Sequence, residues 1–253
     1  MSGKKSLPFI ARQECDKVAF QNGFRRSLGE ADGWRRYGST TAQGSIWLRS
    51  SGDDDWLLSI DHVGVLEEIG LPTFDTDGPG VASFRFDTLA KLYALMPRFY
   101  ELSVSLPDAP FHEFLHRTKG MPKSTEIERL VIQRVGQSIF RDRLISYWQG
   151  QCPLTGITDL GLLRASHIKP WKDCESDEQR LDVHNGLLLS ALWDAAFDGG
   201  SVTFSEGGDP IFSDQLSDTA VGALRGSMIR SSIQLTKAHL VQLSWHGEFV
   251  FKN

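Results

Sequence analysis

Apolar and polar positions change period several times along this chain, and the changes predict where its elements lie. Short apolar runs bounded by Gly and Asp come first. Ser45 to Leu48 and Trp56 to Ile60 predict strands, joined by a turn at Ser51-Gly52-Asp53-Asp54-Asp55. From Phe86 to Leu102 the apolar residues Leu89, Leu92, Leu95, Met96 and Phe99 recur at helical spacing, and Pro97 is expected to kink or shorten that helix. Two breaks follow, Leu106-Pro107-Asp108-Ala109-Pro110 and Gly120-Met121-Pro122. The second places a domain boundary between 120 and 121.

Beyond the boundary, Thr125 and Glu128 have capping-box spacing. Ile127, Leu130, Val131, Val135, Ile139 or Phe140, Leu144, Ile145 and Trp148 then continue a helical stripe up to Gly150. Leu162 to Ile168 predicts a strand. Val183 to Leu189 predicts a second strand, or a loop, running into a helix over Ser190 to Phe197. Val202 to Phe204 predicts a further strand, and Leu224 to Trp245 reads as mainly helical. The expected class is α+β: a mixed α/β domain over 1–120, then a second domain over 121–253.

Composition narrows the picture only a little. A chain of 253 residues can bury a large core without staples. Three widely spaced cysteines, Cys15, Cys152 and Cys174, argue against a disulfide framework and fit a reducing, cytoplasmic setting. Met1 to Leu7 lacks the apolar core of a signal peptide, and no apolar run is long enough for a membrane helix. The net charge of -5 counts against a generic polyanion binder. From Gly120 to Lys172, however, eight Lys and Arg face four Asp and Glu, so this segment carries +4. That surplus suits a phosphate backbone and equally suits a solvated helix face.

His167, Asn185, Asp194 and Asp198 are the candidate chemistry. Asp194 and Asp198 lie four apart on the expected helix, so their carboxylates share a face that could hold a hard divalent cation. A nearby histidine is the usual side chain for taking a proton from water near neutral pH. Taken singly, the same residues read as a helix cap or solvated face and as a hydrogen-bonded core histidine. Cys152, His167, Cys174 and His184 have no zinc-finger spacing. His184 reads as an exposed loop histidine and His246 as a structural one. Trp34, Tyr37, Trp47 and Trp56 are the core of a β domain, or could line a pocket for a flipped base.

The blocks Leu163-Arg164-Ala165-Ser166-His167-Ile168-Lys169-Pro170-Trp171, Asp182 to Leu189 and Leu192 to Gly200 resemble, in that order, the HNH endonuclease family, in particular its bacterial restriction-type branch. Gly136-Gln137 and Phe140-Arg141, ahead of Cys152 and Thr155-Gly156, extend the resemblance to about half of the chain. It implies a ββα-metal fold with flanking helices. His167 would be the general base, Asn185 the brace of the loop that orients it, and Asp194 and Asp198 the ligands of Mg2+ or Mn2+. Ser166 stands where many members carry an Asp or His ligand, so it is at best a weak one. The Cys pairs that hold a structural zinc in many members are missing, with Ser190 and Trp193 in two of the places. No zinc is expected, and packing around Trp148, Trp171 and Trp193 should replace it. Arg141, Arg164 and Lys169 are candidate DNA-phosphate contacts, Arg141 equally a helix anchor.

The expected activity is metal-dependent hydrolysis of DNA in a restriction or defence setting, with a recognition or sensing role for 1–120. A homodimer is compatible with this and a membrane partner is not. The alternatives are a catalytically inactive DNA-binding or regulatory protein and an RNA-cleaving nuclease.

Overall fold

Residues 7–52 and 55–253 are described in the computed structural model of the chain. The protein is α+β and divides into two units, Met1–Ala109 and Pro110–Asn253. The turn expected at 51–55 includes Asp53 and Asp54, and the signal-peptide reading concerns Met1 to Leu7. Those two aspartates and residues 1–6 lie outside the described residues.

The first unit is a five-stranded antiparallel meander with helices on one face. Its elements are α1 (Phe9–Gln21), β1 (Arg26–Ala31), β2 (Trp34–Gly38), β3 (Ser45–Gly52), β4 (Asp55–Ile60), α2 (Val63–Glu68), β5 (Ala82–Phe86) and α3 (Leu89–Ser105). Register explains the core. Tyr37 pairs with Ile46, Ile46 with Ile60, and Leu48 with Leu58, which pairs with Phe84. In a strand, alternate residues share a face, so these line one side of the sheet. They are buried together with Val18 and Ala19 of α1 and Leu92, Met96 and Phe99 of α3.

The same register divides the four aromatics picked out in the sequence. Tyr37 and Trp56 lie on the helix-covered face, Trp34 and Trp47 on the other. They therefore do not line one pocket. Helix α3 begins three residues later than its periodicity suggests, because Phe86 ends β5. It also runs through Pro97 to Ser105. Its buried stripe of Leu92, Met96, Phe99 and Leu102 outweighs one lost helical hydrogen bond.

The second unit takes in more chain than the Gly120 break suggests. Helix α4 (Ala109–Thr118) packs with it. Glu113 pairs with Arg143 at 2.5 Å, and Phe114 lies beside Gly136 and Trp171. These contacts move the division from 120/121 back to the first break. Helix α5 (Glu126–Tyr147) starts on the expected capping box of Thr125 and Glu128. A β-hairpin of β6 (Leu163–His167) and β7 (Gly186–Ser190) follows, with α6 (Asp177–Leu181) in its long connection. Helix α7 (Ala191–Asp198) leaves β7 directly. The unit closes with β8 (Val202–Phe204), β9 (Pro210–Phe212), α8 (Asp218–Gly226) and α9 (Lys237–Phe249).

The stretch 224–245 is not one helix. Between α8 and α9 the Ile229 amide bonds to Leu154 O and the Ile233 amide to Gly208 O. Those donors are lost to a helix, and a fresh cap at Thr236, bonded to His239 Nδ1, starts α9. Helices α5 and α7 both pack against the β6–β7 hairpin.

Candidate functional site

Strand alternation sends neighbouring residues of β6 to opposite sides. His167 faces α5, where its ring stacks on Phe140 at 3.8 Å between centroids, with Trp171 edge-on at 5.5 Å. Ser166 points the other way, and its hydroxyl donates to the Asp194 carboxylate in the first turn of α7. Base candidate and carboxylate candidate thus sit on the two faces of one hairpin, one residue apart.

The imidazole is held by two devices. On one side, Gly186 is paired with His167, and a Cβ there would stand 2.5 Å from Phe140 and 2.9 Å from Leu144. Glycine is what allows Phe140 to close onto the ring. On the other side, His167 Nε2 lies 2.9 Å from the carbonyl oxygen of Arg180. A carbonyl can only accept, so the proton sits on Nε2 and Nδ1 keeps its lone pair. No hydrogen bond to Nδ1 is found among the described residues. Burial lowers the His167 pKa to about 4, against smaller upward pulls from the Arg180 carbonyl and the charge of Asp198. Near neutral pH the ring is uncharged and can accept a proton at Nδ1.

The Arg180 carbonyl is positioned by the connection between the strands. Asn185, fully buried, donates from Nδ2 to Lys169 O at 3.1 Å and to Gln179 O at 3.2 Å. Its Oδ1 accepts from the Lys169 amide at 2.8 Å. One side chain therefore ties the start of the loop to α6. Arg180 adds three ties, donating to Trp171 O, Cys174 O and Asp177. Sequence reading missed Arg180, Phe140 as the stacking partner, and Gly186. Only Gly186 carried a signal, as a glycine inside an otherwise apolar strand.

The α7 side is sparser. Ser166 is buried, Asp194 half-buried and Asp198 exposed one turn later. Among the described residues no three His, Cys, Asp or Glu side chains gather as a metal site. One carboxylate and one hydroxyl do not make a protein cage. They do fit Mg2+ or Mn2+, hard cations often held by one or two carboxylates, water and substrate phosphate oxygens. Zinc prefers nitrogen and sulfur ligands, and this pair offers neither.

The remaining candidates separate clearly. Arg141 donates to Leu163 O and Leu160 O, tying α5 to the approach to β6. Lys169 is 7% exposed, pairs with Glu175 at 3.1 Å and lies over the Trp245 ring. Its ammonium is thus engaged within the unit and is not displayed to a phosphate backbone. Arg164 is exposed and, among the described residues, bonds only to the carbonyls of Gly161 and Leu163. His184, expected at the surface, is buried, with Nδ1 bonded to Asp182 at 2.9 Å and its ring against His239 and Tyr147. His246 is also buried, between Thr203 and Phe197 O. Cys15, Cys152 and Cys174 are free, buried thiols. Trp193 is fully buried and bonded to Ser227, while Trp148 and Trp171 are half-buried.

Residues 152–205 match the model of the HNH_2 family, described as HNH endonuclease. The matched segment runs from Cys152 through the hairpin and α7 into β8. This stretch of the C-terminal unit is thus similar to HNH endonucleases, which suggests a nuclease. No curated protein matches the chain. No helix among the described residues is long and apolar enough to cross a membrane.

Proposed function

We propose that the C-terminal unit hydrolyses phosphodiester bonds of DNA with the help of Mg2+ or Mn2+, and that His167 is its general base. The observation that carries this reading is the setting of His167: stacked on Phe140, bonded through Nε2 to the Arg180 carbonyl, with no hydrogen bond to Nδ1 among the described residues, on the strand that also carries Ser166. Nδ1 takes a proton from the attacking water, and the Arg180 carbonyl holds the imidazolium that results. Phe140 keeps the ring plane fixed, so the lone pair is aimed before substrate arrives. Asn185 acts through the loop as a positioning residue. Asp194, with Ser166 beside it, would hold the cation and Asp198 would supplement it. When bound, the cation would neutralise charge on the phosphate and stabilise the leaving oxygen. Arg164 is the best-placed of the three predicted DNA contacts. A restriction or defence setting is the biological reading we attach to this activity.

A binding-only protein is the second reading, and the neutral Ser166 hydroxyl beside a single carboxylate favours it. Purified protein should nick supercoiled plasmid in Mg2+ or Mn2+ and not in EDTA. Duplex DNA should be cut in preference to single-stranded RNA. DNA binding without cutting in any metal would establish the second reading, and preferential RNA cleavage would reassign the substrate.

A further inference from the structure

Among the described residues of the N-terminal unit, most cations are neutralised. Arg12, Lys17, Arg35, Arg49, Arg85, Lys91 and Arg98 each pair with a carboxylate. Arg36 bonds to Ser45 and lies over Trp47. Among the described residues of the unit, two cations remain, Arg25 and Arg26. They are adjacent in sequence, exposed, and line the same depression of about 590 Å³. Among the described residues, the one hydrogen bond or ion pair of either side chain is a long bond from Arg25 Nε to Phe20 O at 3.4 Å.

The rest of the depression is rich in hydrogen-bonding groups. Thr41 and Tyr100 share a hydroxyl–hydroxyl bond of 2.7 Å, with Thr40 and the Gln21 amide beside them. Gly23, at φ +85°, lets Tyr100 approach, since a Cβ there would collide with the tyrosine ring. The one carboxylate lining the depression, Glu101, is paired with Arg98. Among the described residues, an acidic protein has thus left two guanidiniums without a carboxylate partner in one depression that is also lined by hydroxyl groups. Guanidinium forks with hydroxyl donors match the oxygens of a phosphate.

We infer that this depression, between the C-terminal end of α1, the start of β1 and α3, binds a phosphodiester group of a nucleic-acid strand. The choice of a strand over a free phosphate compound rests on the nuclease reading of the second unit. It is supported by the size of the depression, which has room for sugar atoms next to the phosphate. The site is separate from Arg141, Arg164 and Lys169, and gives the N-terminal unit a contact independent of the chemistry.

The test is anisotropy of a labelled short DNA duplex with the full-length protein in EDTA, over a range of KCl concentrations. Arg25→Ala/Arg26→Ala should weaken binding about tenfold or more at low salt and lower the log–log salt slope by about two. Arg25→Lys/Arg26→Lys keeps the charge and should keep most of the slope. Both variants should melt like the wild type, because both side chains are exposed. Unchanged affinity and slope in the alanine variant would overturn the proposal. So would inorganic phosphate or a mononucleotide competing as well as duplex at equal phosphate concentration, because the ligand is then a free phosphate compound. Metal is absent throughout and binding is read without cutting, so failure of the nuclease reading shows in cutting assays and not here.

Discussion

The two faces of the β6–β7 hairpin are built to different standards. Toward α5, His167 is stacked on Phe140, bonded through Nε2, and backed by Gly186 and a loop that Asn185 and Arg180 tie down. Toward α7, one hydroxyl and one carboxylate meet, and the next carboxylate is in solvent. On the proposed reading, the proton acceptor would be preorganised by packing, whereas the cation position would depend on water and substrate to complete it. Catalytic groups that must be neutral and aimed benefit from burial, and a hard cation tolerates a loose, wet setting.

Removing what organises the first face should have the largest effect. Asn185→Ala strands the Lys169 amide and the Gln179 carbonyl, at about 1–3 kcal/mol for each unsatisfied group, while the Lys169 carbonyl keeps the Cys174 thiol. We expect a loss of about 2 kcal/mol or more in urea unfolding, together with loss of cutting. Wild-type stability would show that the loop holds itself. Gly186→Ala should cost about 1–3 kcal/mol by overpacking against Phe140, and should slow cutting by displacing the His167 ring. A variant with unchanged rate would show that the stack is incidental.

The sparse face should respond less, and in its metal dependence. Ser166→Asp supplies a second carboxylate and should lower the Mg2+ concentration for half-maximal cutting, roughly tenfold. Asp194→Ala should raise it, and more than Asp198→Ala does. Equal, wild-type titrations for the two alanine variants would remove the carboxylates from the account.

The smallest effect concerns pH. Burial lowers the pKa of His167 to about 4 and that of His246 in the same direction. Below the unfolded value of about 6.5 the unfolded chain binds more protons than the folded one. Stability in EDTA should therefore be full above that pH and fall as pH drops toward about 4. His167→Phe should flatten the decline in part. A melting temperature independent of pH across this window would contradict the burial of both rings.

How much of this was legible in the sequence follows from where the information lies. The capping box of α5, β6, and the passage from β7 into α7 are local patterns, and they were read with boundaries close to those observed. The resemblance singled out Asn185, whose side chain bonds Lys169 and Gln179. The role of Arg180 was invisible because His167 uses its backbone carbonyl, which any residue supplies. Burial of Lys169 depends on Trp245, far away in sequence, and no local pattern reports it. Helix α4 joins the second unit through Glu113 and Phe114, while the Gly120-Met121-Pro122 break looks locally like a boundary. Strands β1 and β2 escaped notice because arginines interrupt their apolar alternation, and tertiary pairing supplies the rest.

The central claim is that His167 supplies the base and leaves the cation position unchanged. Single-turnover cleavage of a DNA duplex by wild type and His167→Ala, across a Mg2+ series, tests it most directly. The account predicts a rate lower by about a thousandfold at every Mg2+ concentration, with the same Mg2+ midpoint. Cutting at the wild-type rate, or a loss that added Mg2+ restores, would contradict it.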